Sequence, residues 1–297
     1  MLCYLDRQDA ESYLMPDVNA GNGHYEPIHS AHAIEQAVFS VQIEQPLADN
    51  QLAVVRKSAE QFTTELPGRA EIQGFRLGLG PVSPMGFAPP SSFGSVLNRT
   101  GPDGVVESEL RIDRMSMTFR TTRYSCWSSV WADAKRYFAA LLPIYASTPR
   151  NVKTISLSFN DKFVWSGDST RSEPASLLRR GSKYLSPHVF ETKDLWHTHT
   201  GMFLRADDRT KRLLNVNVDC LDEFVPQTNE NRRVVAITTV LTDMLDQPGF
   251  ASSDVTEVTA MTELEDRMQT LHILDKDILA NIICDEMVRR IALVDQS

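Results

Sequence analysis

Apolar residues recur at two spacings along this chain, and each change of spacing predicts a new element. Alternation from His32 to Ile43, through AIEQAVFSVQI, predicts a first strand. Leu52, Val55, Ala59, Phe62 and Leu66 then step by three and four, an amphipathic helix closed by Pro67-Gly68. Ala70 to Leu79 reads as a second strand, and Gly80 to Gly104, crowded with proline, glycine and serine, as a long inserted loop. A third strand is expected from Val105 to Phe119. Trp127, Val130, Trp131, Ala134, Phe138, Leu141 and Tyr145 mark the apolar face of a central helix, with Pro143 expected to end it. Ile155, Leu157 and Phe159 resume the strand period.

The order β-α-β-β-α-β over residues 32 to 166 is that of a ferredoxin-like unit, two helices on one face of an antiparallel sheet. Downstream, Pro174 to Tyr184 reads as a short helix. Three strands follow near Leu195 to Arg205, Arg212 to Cys220 and Arg233 to Met244, a meander. A long helix from Glu263 to Leu293 carries Leu264, Met268, Leu271, Leu274, Ile278, Ile282 and Ile291 as its stripe. The expected fold is α+β: antiparallel sheets with helices on one face. Residues 1–30 are read as a polar arm and 31–297 as a single domain, divisible into halves 31–168 and 169–297, with the insertion at 80–104.

Of the 297 residues, 42% are hydrophobic and 23% charged, and the net charge is -9. That balance fits a globular protein and argues against general nucleic-acid binding, which needs a basic surface. Cys3, Cys126, Cys220 and Cys284 lie far apart, in neither a zinc pattern nor a compact disulfide framework. With no signal peptide in the opening MLCYLDRQDAES and no apolar run of membrane length, a cytoplasmic protein is expected.

The one local cluster with chemical promise is Trp196-His197-Thr198-His199-Thr200. Histidines two apart on a strand project from one face and could share a metal. With Asp207-Asp208-Arg209 as the turn, His197 falls opposite Asp219 and His199 opposite Asn217, so His197, His199 and Asp219 are the candidate metal ligands. The plainer reading is a solvated sheet face. Zinc-dependent deubiquitinase-like metalloproteases also carry His-x-His, but Thr200 stands at their proline, and Asp207 and Thr210 at their serine and aspartate, so that match fails. Cys126 near a helix start, His272, and the cations Arg171, Arg179, Arg180 and Lys183 are weaker candidates. Phe39, Phe75, Phe119 and Phe159 would matter only if they formed a base-stacking face. Gly-x-Gly-x-x-Gly, P-loop, Gly-x-Ser-x-Gly and His-Glu-x-x-His motifs are absent, so no cofactor is expected.

The opening strand AIEQAVFSVQI, the spacing of Phe119, Tyr124 and Trp127, the NVNVD strand ending at Asp219, and the Leu271, His272, Ile278 pattern resemble a sporadically distributed bacterial family of uncharacterised proteins. The likeness spans His32 to Leu293. It implies patchy bacterial distribution and transfers no active site. The function expected is non-catalytic binding of a protein partner, including a toxin-neutralising or defence role. A metal-dependent hydrolase is the alternative.

Overall fold

The computed structural model describes residues 23–74, 91–145, 152–225, 230–245 and 257–293. Strand β7 (Val152–Trp165) shows how the architecture is built. From Ile155 onward its side chains alternate between buried and half-exposed positions, as a strand with one covered face must. Among the described residues, ten strands form antiparallel sheet accompanied by four α-helices, an α+β arrangement. None of the described helices is long and apolar enough to cross a membrane. The chain divides into two units that interleave along the sequence, one drawn from Val38–Ser156 and Met244–Asp266, the other from Met1–Ala37, Leu157–Asp243 and Arg267–Ser297.

In the first unit the strand order is β3 (Gly68–Gly74), β4 (Ser91–Thr100), β5 (Val106–Asp113), β6 (Ser116–Thr121), β2 (Ile34–Ile43), then β7. Helix α1 (Asp49–Ala59) forms where the three-four spacing placed it and buries Leu52, Val55 and Ala59. Helix α2 (Trp127–Tyr145) buries Trp131, Tyr137, Phe138 and Tyr145. Phe39 lies 5.9 Å from the Trp131 ring and 6.2 Å from Phe119, so these aromatics are core.

Three sequence expectations change here. The part of the 80–104 insertion that is described contains β4, which pairs with β3 and β5; residues 80–90 lie outside the described residues. Its glycines and proline close a hairpin: the Gly104 N–H donates to the Gly101 carbonyl, and Gly104 takes a φ of 84°, a left-handed conformation that glycine adopts without strain. The single strand expected from Val105 to Phe119 is two, β5 and β6. Asp113 breaks it by accepting from the Met115 and Ser116 N–H groups, both at 2.8 Å, an aspartate turn. Between the two helices there are thus four strands where two were expected. Pro143 does not end α2. The last turn is held by burial of Leu141, Leu142 and Tyr145 and by the Tyr145 hydroxyl, which donates to the carbonyls of Asp113 and Ser116.

The second unit runs β7, β10 (Glu230–Leu245), β9 (Thr210–Val225), β8 (Trp196–Asp207). The short β1 (Tyr25–Pro27) pairs along β7 and buries Tyr25 to 2% exposure, so a strand stands inside the segment expected to be a loose arm. Helix α3 (Glu257–Ile282) buries Leu264, Met268, Leu271, Ile278 and Ile282. The long final helix breaks after Ile282. The Cys284 N–H donates to the Leu177 carbonyl, and the Ile282 carbonyl accepts from the Arg179 N–H, so backbone groups needed to continue the helix are diverted. The chain then re-forms a short α4 (Asp285–Arg290). The expected helix at Pro174 to Tyr184 is only a 3₁₀ turn at Pro174–Ser176.

Candidate functional site at the β8–β9 hairpin

The hairpin turns where the charged tip predicts. Asp207 accepts from the Arg209 N–H at 2.7 Å, and a bulge between Arg205 and Asp207 absorbs one residue. Below it the register pairs His197 with Asp219, His199 with Asn217 and Gly201 with Asn215. Leu214, Val216 and Val218 point to the covered side, leaving the odd-numbered positions on the open side.

His197 and His199 are exposed there, and Asp219 is half-buried. The rings do not converge. A Cβ added at Gly201 would stand 3.2 Å from His199 Nε2 and 2.9 Å from Asn215 Oδ1, so the His199 ring leans along the strand toward position 201, away from His197. Glycine at 201 leaves room for that lean. The His188 ring N–H donates to the His197 carbonyl at 3.4 Å. Among the described residues no group of three or more histidine, cysteine or carboxylate side chains is placed to hold a metal ion.

The open side continues onto β7 with hydrogen-bonding residues. Lys162 donates to Glu35 at 2.5 Å and to Glu223 at 2.9 Å, and Asn160 donates to Glu35 at 3.0 Å. Burial pulls the Lys162 ammonium down, but its bonds to the two carboxylates outweigh that and hold it above the usual lysine range. On the edge strand, Phe203 is 66% and Leu204 39% exposed.

The weaker candidates have structural roles. Cys126 is disulfide-bonded, which removes the thiol a nucleophile needs. Arg179 pairs with Asp285 at 2.7 Å, Arg180 lies over the Phe190 ring and Lys183 over Tyr184, so these cations do not gather around a phosphate site. Phe39, Phe119 and Phe159 are at most 2% exposed and cannot stack bases; Phe75 lies outside the described residues. His272 is half-buried beside the Phe159 ring, and burial, aided by the Lys276 charge, brings it down to about 4, so it is neutral at neutral pH.

On the covered side lie charged groups that the sequence reading passed over. Asp243 is fully buried, held by the Arg212 guanidinium at 2.6 and 3.0 Å and by Arg267 at 3.3 Å. Asp161 and Asp275 are 1% and 5% exposed and have no such cation among the described residues. The Thr239 hydroxyl donates to Asp275 Oδ1, while neither oxygen of Asp161 has a hydrogen-bond partner. Burial first, and then the Asp275 charge, push Asp161 well above the carboxylate range; burial pushes Asp275 up to about 7. Both could have been found by phase. Asp161 falls on the buried beat of β7, and Asp275 completes the 264, 268, 271, 275, 278, 282 stripe in which Leu274 had been placed. Compared with known proteins, the chain matches no family model and no curated protein.

Proposed function

We propose that this chain is a non-catalytic binding protein that uses the β8 edge and the open side of the β8–β9 hairpin as a platform for a protein partner. The observation that carries this reading is Phe203, 66% exposed on a strand that ends the sheet order. A twelve-residue edge strand invites pairing by an extended segment, and an exposed aromatic on it offers an apolar anchor. The chain's net charge of -9 favours a basic partner. A toxin-neutralising or defence role suits the patchy distribution of the bacterial family that the sequence resembles. The order β3, then β6, β2 and β7, with β4 and β5 inserted after β3, supports a ferredoxin-like ancestry for the first unit. Cytoplasmic residence remains the reading of the sequence; the disulfide at Cys126 weighs against it, and alkylation of the native protein followed by mass spectrometry decides.

The test is native purification from the host with and without Phe203→Glu. A stoichiometric partner that is retained by the parent protein and lost by the variant supports the proposal. A lone monomer with catalytic activity sinks it.

One observation favours the alternative, a metal-dependent hydrolase: the register that sets His197 across from Asp219. Closing such a site requires the His199 ring to swing back toward His197. Metal analysis of untagged protein decides. Metal below one equivalent, unaltered by His197→Ala and His199→Ala, excludes this reading.

A further inference from the structure

We propose that Ser166 is a nucleophile that takes an acyl group from an activated ester, with His24 as its base and Glu26 as the residue that positions the imidazole. The three meet at one corner of the second unit, where β1 pairs with the end of β7. Register sets the corner. Tyr25 lies across from Trp165, so the chain extended by one residue on each side brings His24 beside Ser166. The Ser166 N–H donates to the His24 carbonyl at 2.9 Å, and the His24 N–H donates to Ser166 Oγ at 3.0 Å. Tyr25 and Trp165 are buried, and their rings meet edge to face with centroids 5.0 Å apart, which anchors the corner. His24 and Glu26 are two apart on extended backbone, so their side chains leave it on one side, opposite the buried Tyr25.

The side chains form a relay of hydrogen bonds. Ser166 Oγ lies 3.3 Å from His24 Nδ1, and His24 Nε2 lies 2.5 Å from Glu26 Oε1. The other Glu26 oxygen accepts from Arg290 of α4 at 2.8 Å. A carboxylate held by a guanidinium takes the Nε2 proton as its hydrogen bond, which sets the tautomer with the Nδ1 lone pair facing the serine. Ser166 Oγ already accepts from the His24 N–H, so its own proton is directed to Nδ1. Nucleophile, base and orienting carboxylate in that sequence activate a hydroxyl on any fold and in any chain order. Glycine at 23 and 167 keeps two neighbouring positions clear: a Cβ at 167 would stand 3.0 Å from the Gly23 Cα.

In the step proposed, Ser166 Oγ attacks the ester carbonyl carbon while its proton passes to His24 Nδ1. A new C–O bond forms, the bond to the leaving oxygen breaks, and His24 gives the proton to that oxygen. The products are an acyl-serine and an alcohol. The residue after the serine lines a cavity of about 370 Å³ with Asp168, Ser169, Glu230, Asn231 and Arg232. These side chains are polar, and Arg232 pairs with Glu230 at 3.0 Å. Such a cavity suits a short polar acyl group better than a fatty chain. The site shares no residue with the β8–β9 platform, and one acylation per chain is compatible with a binding protein that turns nothing over.

Treatment of the full chain with p-nitrophenyl acetate, read by nitrophenolate release and intact mass, tests this. The expected result is a burst of one equivalent, with acetyl at Ser166 in the peptide map and no burst in Ser166→Ala. The burst should be at least about a hundredfold slower in His24→Ala and about tenfold slower or more in Glu26→Gln. Imidazole added to His24→Ala should restore part of the rate, which a histidine that only closes the corner would not show. Acetylation of Ser166→Ala at the parent's rate overturns the proposal, as does acetyl found only on lysines in the parent. Should Ser166→Ala fail to fold, the parent's peptide map decides by itself. Acetyl at Ser166 supports the proposal, and its absence there overturns it. Release that runs past one equivalent in the parent and stops in Ser166→Ala supports the serine while overturning the non-catalytic reading, so the two stand or fall apart.

Discussion

Asp161 and Lys162 are neighbours in sequence, yet they meet opposite fates. Lys162 points to the open side of β7, reaches Glu35 and Glu223, and keeps its charge. Asp161 points to the covered side, finds no hydrogen-bond partner, and is driven toward neutrality. The strand pleat turns a step of one residue into a change of solvent. On the open side a charge is worth what its partners and water make it. On the covered side it must be matched by a cation, as Asp243 is, or lose its charge.

Four substitutions sharpen or break that comparison, from largest effect to smallest. Asp243→Ala leaves the largely buried Arg212 guanidinium without its carboxylate and removes one of the partners of Arg267, and should destabilise the protein by about 3–5 kcal/mol in denaturant unfolding. A loss below about 1 kcal/mol would mean that the covered side tolerates unmatched charge. Asp161→Leu should act in the opposite direction, stabilising by about 1–4 kcal/mol at pH 8, where the native carboxyl is being forced to ionise. That gain should shrink as pH falls from 8 toward about 3, because below the unfolded carboxylate range the parent carboxyls are protonated in both folded and unfolded states. A pH-independent gain would show that packing, not charge, is its source. Lys162→Met leaves Glu35 and Glu223 facing each other near water, and should cost about 1 kcal/mol or less, diminishing in high salt. His199→Ala removes an exposed ring and should change thermal stability by no more than about 0.5 kcal/mol. A large loss there would mean that the open side holds a structural contact, or a metal, that the geometry does not provide.

How much was legible from the pattern varies by element. The register of β8 and β9 was legible because both faces were specified: Leu214, Val216 and Val218 had to go inward, and the Asp207 to Arg209 tip set the turn. The strand β4 was not. Its proline- and glycine-rich surroundings resemble a loop, and only pairing with β3 and β5 makes SSFGSVLNRT a strand. Helix α2 runs through Pro143 because Tyr145 is anchored to the turn between β5 and β6, about thirty residues earlier in the chain, a contact no local rule contains. At the candidate site, the sequence brought His197 opposite Asp219, but it could not show that His199 leans over Gly201.

The sequence by itself determined the periods of the regular segments, among them β2, α1, α2, β7, β8, β9 and most of α3, and which phase of each is buried. Asp161 and Asp275 were in those phases all along, visible as acids on core beats. Tertiary structure alone decided that Thr239 meets Asp275, and that among the described residues neither acid has a cation while Asp243 has two. The physical reason is range. Periodicity is a local property of the backbone, whereas the charge state of a buried carboxyl depends on which residues distant in the chain are folded against it.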